Sequence, residues 1–308
     1  MLRAFENFIP FVTKARIRPY QYRLSCTYAC LTVLDFFRHR KYPMFRDILI
    51  ETCSYCNRRC PDCPVCKYPR EVEMHLDDFL FDRIVRELCS LGFSGRIGLH
   101  FFNEPLADDS IVEKVKKLRR YVPRSSIEIN SNGDYLNLKL LRDLYESGLS
   151  KLFVTAYCKE TFWRVKGLLD QCRGREGKIV TCREAPLFIG NRAGSLNNVV
   201  LHETLRANCF LPSYQIVVNY MGDVVLCCND FYGRINFGNV SDRSLLEIWG
   251  GDKLRDIRKK LRKKMRCLIP ICRSCNLFCD PWNRKYLTAD EVKIYNHDRD
   301  QRSAIIMC

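Results

Sequence analysis

From residue 46 onward the sequence alternates short apolar stretches with amphipathic ones, and no other feature restricts the fold as strongly. Residues 48–52, 96–102, 127–130, 151–157 and 178–182 read as strands, with Phe188 and Ile189 opening a sixth. Between them, 77–91, 109–121, 137–146 and 159–171 read as helices. Strands alternating with helices at this spacing pair in parallel, because a parallel pair needs a crossover long enough to hold a helix. An incomplete βα barrel and an open α/β sheet both satisfy the pattern. Both place chemistry in the loops leaving the C-terminal strand ends. Beyond residue 200 the style changes: 215–220 and 224–227 read as a hairpin turning at Gly222, followed by helices at 244–249 and 253–266. Ahead of the first strand, 27–38 reads as helical.

A chain of 308 residues that is 47% hydrophobic can bury its own core, which rules out global disorder and removes the need for a disulfide scaffold. No apolar run reaches the roughly eighteen residues of a membrane-spanning helix. Arg3, Glu6, Lys14, Arg16 and Arg18 interrupt the apolar stretch a signal peptide requires. A cytoplasmic location is therefore expected. In that reducing compartment 19 cysteines point to metal rather than to disulfides.

The first cysteine group, Cys53, Cys56, Cys60, Cys63 and Cys66, follows the first strand. A zinc knuckle would draw on two Cys-x2-Cys pairs, for instance Cys53/Cys56 with Cys63/Cys66. Cys56, Cys60 and Cys63 instead fit C-x3-C-x2-C, which on a four-iron cluster leaves one iron open to a chelating small molecule. The second strand runs out into Asn103-Glu104-Pro105 and the third into Ser131-Asn132-Gly133. A zinc knuckle has no use for polar strand ends beside the cysteine loop. An amino-acid ligand would use a carboxylate such as Glu104 for its ammonium, and the exposed backbone at Pro105 and Gly133 for close approach. A second group, Cys209, Cys227, Cys272 and Cys275, supplies four thiolates, enough to close a zinc or an iron–sulfur site completely. Cys26 and Cys30 read as buried thiols on one helix face, and Cys228, Cys267, Cys279 and Cys308 as buried or incidental ones.

Taken together, these residues resemble the radical S-adenosylmethionine (SAM) enzymes. Cys56, Cys60 and Cys63 match that family's cluster motif. Asn103-Glu104-Pro105 resembles its Gly-Gly-Glu-Pro motif, and Ser131-Asn132-Gly133 its Asn-Gly strand end. Gly222 with Cys227, and Phe237-Gly238-Asn239-Val240 ahead of Leu246-Glu247-Ile248-Trp249, are similar to the Twitch form of the SPASM/Twitch auxiliary-cluster domain. Within that group, Gly95-Arg96-Ile97, His100-Phe101 and Asn191-Arg192-Ala193-Gly194 look like the aminocyclitol dehydrogenases. Two positions depart from the pattern: Asp62 replaces a common aromatic, and Ala193 replaces a glycine. The resemblance implies a partial (β/α)6 TIM barrel followed by a small hairpin-and-helix auxiliary domain. It implies two 4Fe–4S clusters and SAM as cofactors. Cys56, Cys60 and Cys63 would hold the SAM cluster, and Cys209, Cys227, Cys272 and Cys275 the auxiliary one. Asn103, Glu104, Pro105, Ser131, Asn132, Gly133 and Thr155 would bind SAM, and Arg192 would be the catalytic residue, polarising the substrate oxygen. The implied reaction is oxidation of a secondary alcohol of a sugar or aminocyclitol to a ketone through a 5′-deoxyadenosyl radical, with the auxiliary cluster accepting the second electron.

The chain divides on this reading into a basic extension (1–44), the barrel (45–195), the auxiliary domain (196–285) and a tail (286–308). Lys+Arg number 51 against 35 Asp+Glu, a net charge of +16, and 253–266 is the most basic stretch. Leu254, Ile257, Leu261 and Met265 recur there as one buried stripe under a cationic outer face. Such a face reads first as an ordinary solvated one; its functional readings are an anionic small-molecule substrate or an acidic electron donor of the flavodoxin or ferredoxin type, ahead of nucleic acid. Two rival functions stay open at this point: a radical SAM enzyme that modifies a peptide, and a non-catalytic zinc protein that binds nucleic acid.

Overall fold

A computed structural model describes residues 44–70, 72–185, 190–279 and 284–306. The helix expected at 27–38, Cys26, Cys30 and the strand expected at Phe188 and Ile189 lie outside them. Five strands carry the βα alternation: β1 (Asp47–Ile50), β2 (Arg96–Gly98), β3 (Ser126–Ser131), β4 (Lys151–Ala156) and β5 (Val180–Glu184). The helices between them are α1 (Pro64–Lys67), α2 (Asp78–Ser90), α3 (Ile111–Tyr121), α4 (Leu138–Glu146) and α5 (Lys159–Asp170). Local chemistry sets the helix starts. Asp77 caps α2 by accepting from the Phe79 and Leu80 amides, and Asn137 caps α4 through Leu140 N. One face of α2 buries Phe81, Ile84, Val85 and Leu88, and the corresponding face of α3 buries Ile111, Val115 and Leu118.

One sheet holds eight strands in the order β5-β4-β3-β2-β1-β6-β7-β8. All neighbours from β5 to β1 are parallel, and β1 pairs in parallel with β6 (Gln215–Val218) on its other side. The sheet stays open between β5 and β8, so the barrel is partial. β6 also opens the C-terminal hairpin: it runs antiparallel to β7 (Asp223–Val225), which pairs with β8 (Asn236–Asn239). β1 is central and buried along its whole length. A smaller sheet pairs β9 (Leu277–Cys279) with β10 (Arg284–Tyr286).

The short elements α1, β8, β9 and β10 and the short helix at 270–273 have no counterpart in the sequence reading, and three readings are corrected. The strand expected to reach residue 102 ends at Gly98. Beyond it the His100 ring folds back over Gly98, and its Nδ1 accepts the Asn130 amide, a ladder bond given to a side chain. The helix expected over 253–266 is α7 (Asp252–Arg262), which follows α6 (Leu245–Trp249) and stops where Lys264 takes the left-handed conformation (φ 63°). Leu254, Ile257 and Leu261 are buried as expected, but Met265 is exposed. Arg266, expected on the cationic outer face, turns inward and is 1% exposed. After the short helix α8 (Pro270–Arg273), the expected tail carries α9 (Ala289–Ile306). Thr288 Oγ1 accepts the Glu291 amide while the Glu291 carboxylate accepts Thr288 N, a capping box. Val292 of α9 joins Leu205, Ala207 and Leu287 in a core of their own.

Candidate functional site

Cys53, Cys56, Cys60 and Cys63 lie in the loop between β1 and α1, at the C-terminal ends of the parallel strands, and Cys66 lies within α1. Cys56, Cys60 and Cys63 are each partly exposed, and the Cys63 amide closes a tight turn on Cys60 O. Burial raises all three thiols; at Cys60, with the charges of Cys63 and Cys56 adding to it, the push is up to about 11.

Side chains on the strand ends hold this loop. Glu104 is buried, and its amide bonds Tyr55 O within the loop. Its carboxylate accepts from Leu106 N at 3.0 Å, Ser131 Oγ at 2.7 Å and Asn132 N at 2.7 Å. Three of about four lone-pair positions are thus filled, leaving one for an incoming donor. Gly133 sits at φ 82°, and a Cβ there would come within 2.6 Å of Val154. Pro105 is buried at the start of a short 3-10 turn. Asn103 turns its amide toward Thr52 and Cys53, behind the loop. Thr155 is half-buried on β4, on the side of the strand shared by Phe153 and Tyr157.

Several residues that the motifs do not contain complete the enclosure. Arg58, inside the cysteine loop, makes a two-pronged ion pair with Asp134, both arms at 2.6 Å, and reaches Thr161 Oγ1 at 3.1 Å. Asn57 bonds Asp134 at 2.8 Å and accepts from Asn132 Nδ2 at 2.8 Å. Tyr157 follows β4 and is pushed up to about 12, by burial first and then by the charges of the three cysteines. Arg70 pairs with the fully buried Glu51 at 2.8 Å and stacks on Tyr220 and Phe231.

The second group surrounds a cavity lined by Cys209, Cys227, Cys272 and Cys275 together with Ala193, Asn229, Leu261 and Arg266. Burial raises Cys227, Cys272 and Cys275; Cys209 is raised first by the hydrogen bond it gives Cys279 and then by burial. The Arg266 guanidinium opposes these shifts at Cys209, Cys272 and Cys275. It is fixed there by the carbonyls of Ala207, Asn208 and Leu277, at 2.8–2.9 Å.

One turn joins the two groups. Asn191 donates to Ser274 O at 2.7 Å, beside Cys275, and its amide donates to Asn276 Oδ1 at 3.1 Å. That anchorage fixes Arg192 and Ala193 back to back. Ala193 lines the four-cysteine cavity, while the Arg192 guanidinium lies over the Phe102 ring at 5.6 Å and lowers the Cys63 and Tyr157 shifts.

A family model for SPASM, an iron–sulfur cluster-binding domain, matches residues 209–276. The S-adenosyl-L-methionine-dependent 2-deoxy-scyllo-inosamine dehydrogenase of Niallia circulans is 33% identical over 234 residues, 76% of this chain and 93% of that protein. Among solved structures, BtrN in complex with AdoMet and 2-DOIA superposes with a TM-score of 0.69 at 33% identity, covering 76% of this chain and 93% of that one. BtrN in an open conformation gives 0.60 at 29% identity, over 76% and 92%. The chain belongs to the radical SAM enzymes.

As a radical SAM oxidoreductase with a SPASM-type domain, the protein uses SAM and 4Fe–4S clusters. The zinc-knuckle reading of the first cysteine group falls with that assignment. The two thiol sets fit these groups differently. Four thiols around an enclosed cavity, with a buried cation beside them, suit a cluster ligated at every iron. Three partly exposed thiols next to a carboxylate with one free acceptor position suit a cluster open to an amino acid. Among the described residues, no helix is long and apolar enough to cross a membrane. Arg58 could have been found from its place between two motif cysteines, and Asp134 from the turn it shares with Gly133. Arg70 and Tyr157 carry no such signal.

Proposed function

We propose that the protein is a radical SAM dehydrogenase that oxidises a secondary alcohol of a sugar- or aminocyclitol-type molecule to a ketone. The observation that carries this reading is the turn 191–194, which places a guanidinium toward the three-cysteine loop and an alanine in the wall of the four-cysteine cavity. Oxidation of an alcohol in two one-electron steps needs a hydrogen acceptor and an electron acceptor on either side of one substrate. Cys56, Cys60 and Cys63 would hold the SAM-binding cluster, and Cys209, Cys227, Cys272 and Cys275 the auxiliary cluster. Bound in these places, the clusters and SAM supply hydrogen-atom abstraction by a 5′-deoxyadenosyl radical and an acceptor for the remaining electron.

The chain's own residues do the rest. The free acceptor position of Glu104 would take the SAM ammonium, and the Gly133 backbone allows close approach. Arg58 and Asp134 pin the cysteine loop to the ends of β3 and β4. The Arg192 guanidinium polarises the substrate oxygen and holds the developing alkoxide rather than acting as a base, and the hydroxyl proton leaves to solvent water. Phe102 and Phe231, in edge contact at 4.9 Å, supply an apolar wall beside Arg192. The resemblance to the dehydrogenase of Niallia circulans supports this reading over a peptide-modifying one. For an electron donor we propose an acidic flavodoxin- or ferredoxin-type protein docking on the exposed Lys259, Arg262 and Lys263. Leu261, between them, lines the auxiliary cavity and bonds Cys209 N through its carbonyl.

The test is anaerobic reconstitution followed by reaction with SAM, dithionite and candidate polyols. About eight irons per chain, and a two-hydrogen loss from one polyol matched by 5′-deoxyadenosine, are expected. Iron for a single cluster, or 5′-deoxyadenosine without any oxidised product across sugars and cyclitols, would overturn the dehydrogenase reading.

A further inference from the structure

The turn that carries Arg192 does not hold its own shape. Arg192, Ala193 and Gly194 follow one another in the left-handed region, at φ 47°, 55° and 81°. Residues other than glycine stay there only under constraint from their surroundings. The Gly194 and Leu196 amides both donate to Asn191 O, at 3.0 and 3.1 Å, so the turn hangs from Asn191. Asn191 is itself buried and held from outside the turn.

That hold comes from the residues around Cys275. Asn191 N donates to Asn276 Oδ1 at 3.1 Å, and Asn276 N donates to Asn191 Oδ1 at 3.4 Å, a reciprocal pair. With Asn191 Nδ2 donating to Ser274 O at 2.7 Å, the Asn191 side chain bonds the residues on both sides of Cys275. Gly194 lies against the same segment, since a Cβ there would come within 2.8 Å of Ser274 Cβ. Asn276 is fully buried and pinned on its far side: its Nδ2 donates to Leu287 O at 2.6 Å, and its carbonyl accepts the Leu287 amide at 2.9 Å. Less fixes the cysteine-bearing part of this segment. α8 is a single turn of four residues, too short to be stable alone, and the Cys275 amide reaches Cys272 O at 3.3 Å. Ligation through Cys272 and Cys275 would supply the missing constraint.

Resting on the assignment of Cys209, Cys227, Cys272 and Cys275 to the auxiliary cluster, we propose that Asn276 is a positioning residue: it passes the order of the ligated 272–276 segment to the turn 191–194, and so places Arg192. The guanidinium that meets the substrate oxygen is then in place only when the electron acceptor is. A chain holding the SAM cluster alone cleaves SAM but does not grip the substrate. Such coupling is reciprocal, so the anchored turn also helps to retain the auxiliary cluster.

Hydrogen exchange over 190–196, read by mass spectrometry on the reconstituted holoenzyme, tests this, with iron analysis and Mössbauer spectra reporting which cluster each variant holds. In Cys272→Ala, left with the SAM cluster alone, the amides of Asn191, Gly194 and Leu196 should exchange at least about tenfold faster than in wild type. Cys60→Ala, which keeps the auxiliary cluster, should protect them as wild type does. Asn276→Leu fills a similar volume without the acceptor, and should show the fast exchange with both clusters in place. Asn276→Asp keeps an acceptor for the Asn191 amide and should restore most of the protection. A role in packing alone would rank Asn276→Leu with wild type. Should Asn276→Leu shed the auxiliary cluster, Asn191→Ala, which leaves 272–276 unaltered, takes its place, with the same acceleration expected at Gly194 and Leu196. Wild-type protection in a Cys272→Ala protein without its auxiliary cluster would overturn the proposal, as would equal protection in the Leu and Asp variants. No substrate enters the measurement. Failure here therefore leaves the dehydrogenase reading standing, and failure to form a ketone leaves the coupling standing.

Discussion

Two residues of the site sit in conformations that cost energy, and the costs can be weighed. Ala193 adopts φ 55°, between Arg192 at φ 47° and Gly194 at φ 81°. A left-handed alanine costs about 1–2 kcal/mol, which accounts for glycine being the residue expected from the resemblance. Its methyl, 3% exposed, returns about 0.8 kcal/mol by burial, and glycine would lose roughly 0.5–1 kcal/mol in chain entropy. The terms nearly cancel. Ala193→Gly should leave the melting temperature unchanged within a degree or two, whereas Ala193→Val, branched in a left-handed turn, should lower it clearly in thermal melts. His100 carries a different cost. Burial, then the charges of Arg96 and Arg284, pushes its pKa from 6.5 down to about 3, and the bond its Nδ1 accepts from Asn130 N requires a neutral ring. A base whose folded pKa is depressed is fully compatible with folding above its unfolded pKa and loses stability as pH falls through the window between the two. Stability should therefore drop between about pH 6.5 and pH 3, by up to about 1.4 kcal/mol per pH unit. Urea denaturation of wild type and His100→Gln across pH 7 to 4.5 checks this: parallel slopes for the two proteins would refute it.

At the scale of elements, what the sequence discloses follows from range. The strand–helix alternation from β1 to β5 was legible because each element announces itself by its own period, as in the Phe81, Ile84, Val85 and Leu88 face of α2. Both cysteine sets stand out in the sequence because thiols at ligand spacing have few other uses. The pairing of β6 with β1 was not legible, since nothing in 215–220 shows that its partner lies far back along the chain. The end of α7 was misread for a related reason. A run of Lys and Arg looks uniformly solvated, yet Arg266 is taken inward by carbonyls of Ala207, Asn208 and Leu277 that only the tertiary fold assembles. By contrast α9 could have been found, because Thr288 and Glu291 spell a capping box. Arg266→Leu should be among the most damaging substitutions outside the ligands. It leaves the buried carbonyls of Ala207 and Leu277 without this partner, at about 1–3 kcal/mol each, and removes the cation that bears on Cys209, Cys272 and Cys275. We expect the variant to retain iron for one cluster only. Thr288→Ala should cost only about 1 kcal/mol, visible as a lower thermal midpoint with the iron content unchanged.

For the molecule as a whole, the proposed chemistry depends on two centres doing separable jobs on one substrate. The three-cysteine loop is tied to β3 and β4 through Arg58–Asp134, whereas the four-cysteine cavity is built from the C-terminal hairpin, α7 and α8, and the turn 191–194 bears on both. Damage at one centre should therefore spare the other. Cys60→Ala removes one of three ligands around an already open cluster, so SAM cleavage should vanish while iron for the auxiliary cluster stays. Cys272→Ala should do the reverse. SAM cleavage to 5′-deoxyadenosine would persist at a reduced rate, because Cys56, Cys60, Cys63 and Glu104 are untouched. The oxidised product would be lost, because the substrate radical has nowhere to deliver its second electron. Iron analysis, Mössbauer spectra and product mass spectrometry on the two variants separate these outcomes. A Cys272→Ala protein shown to lack its auxiliary cluster but still forming ketone at the wild-type ratio to 5′-deoxyadenosine would mean that the electron leaves by another route. The four-cysteine cavity would then serve the fold and not the oxidation.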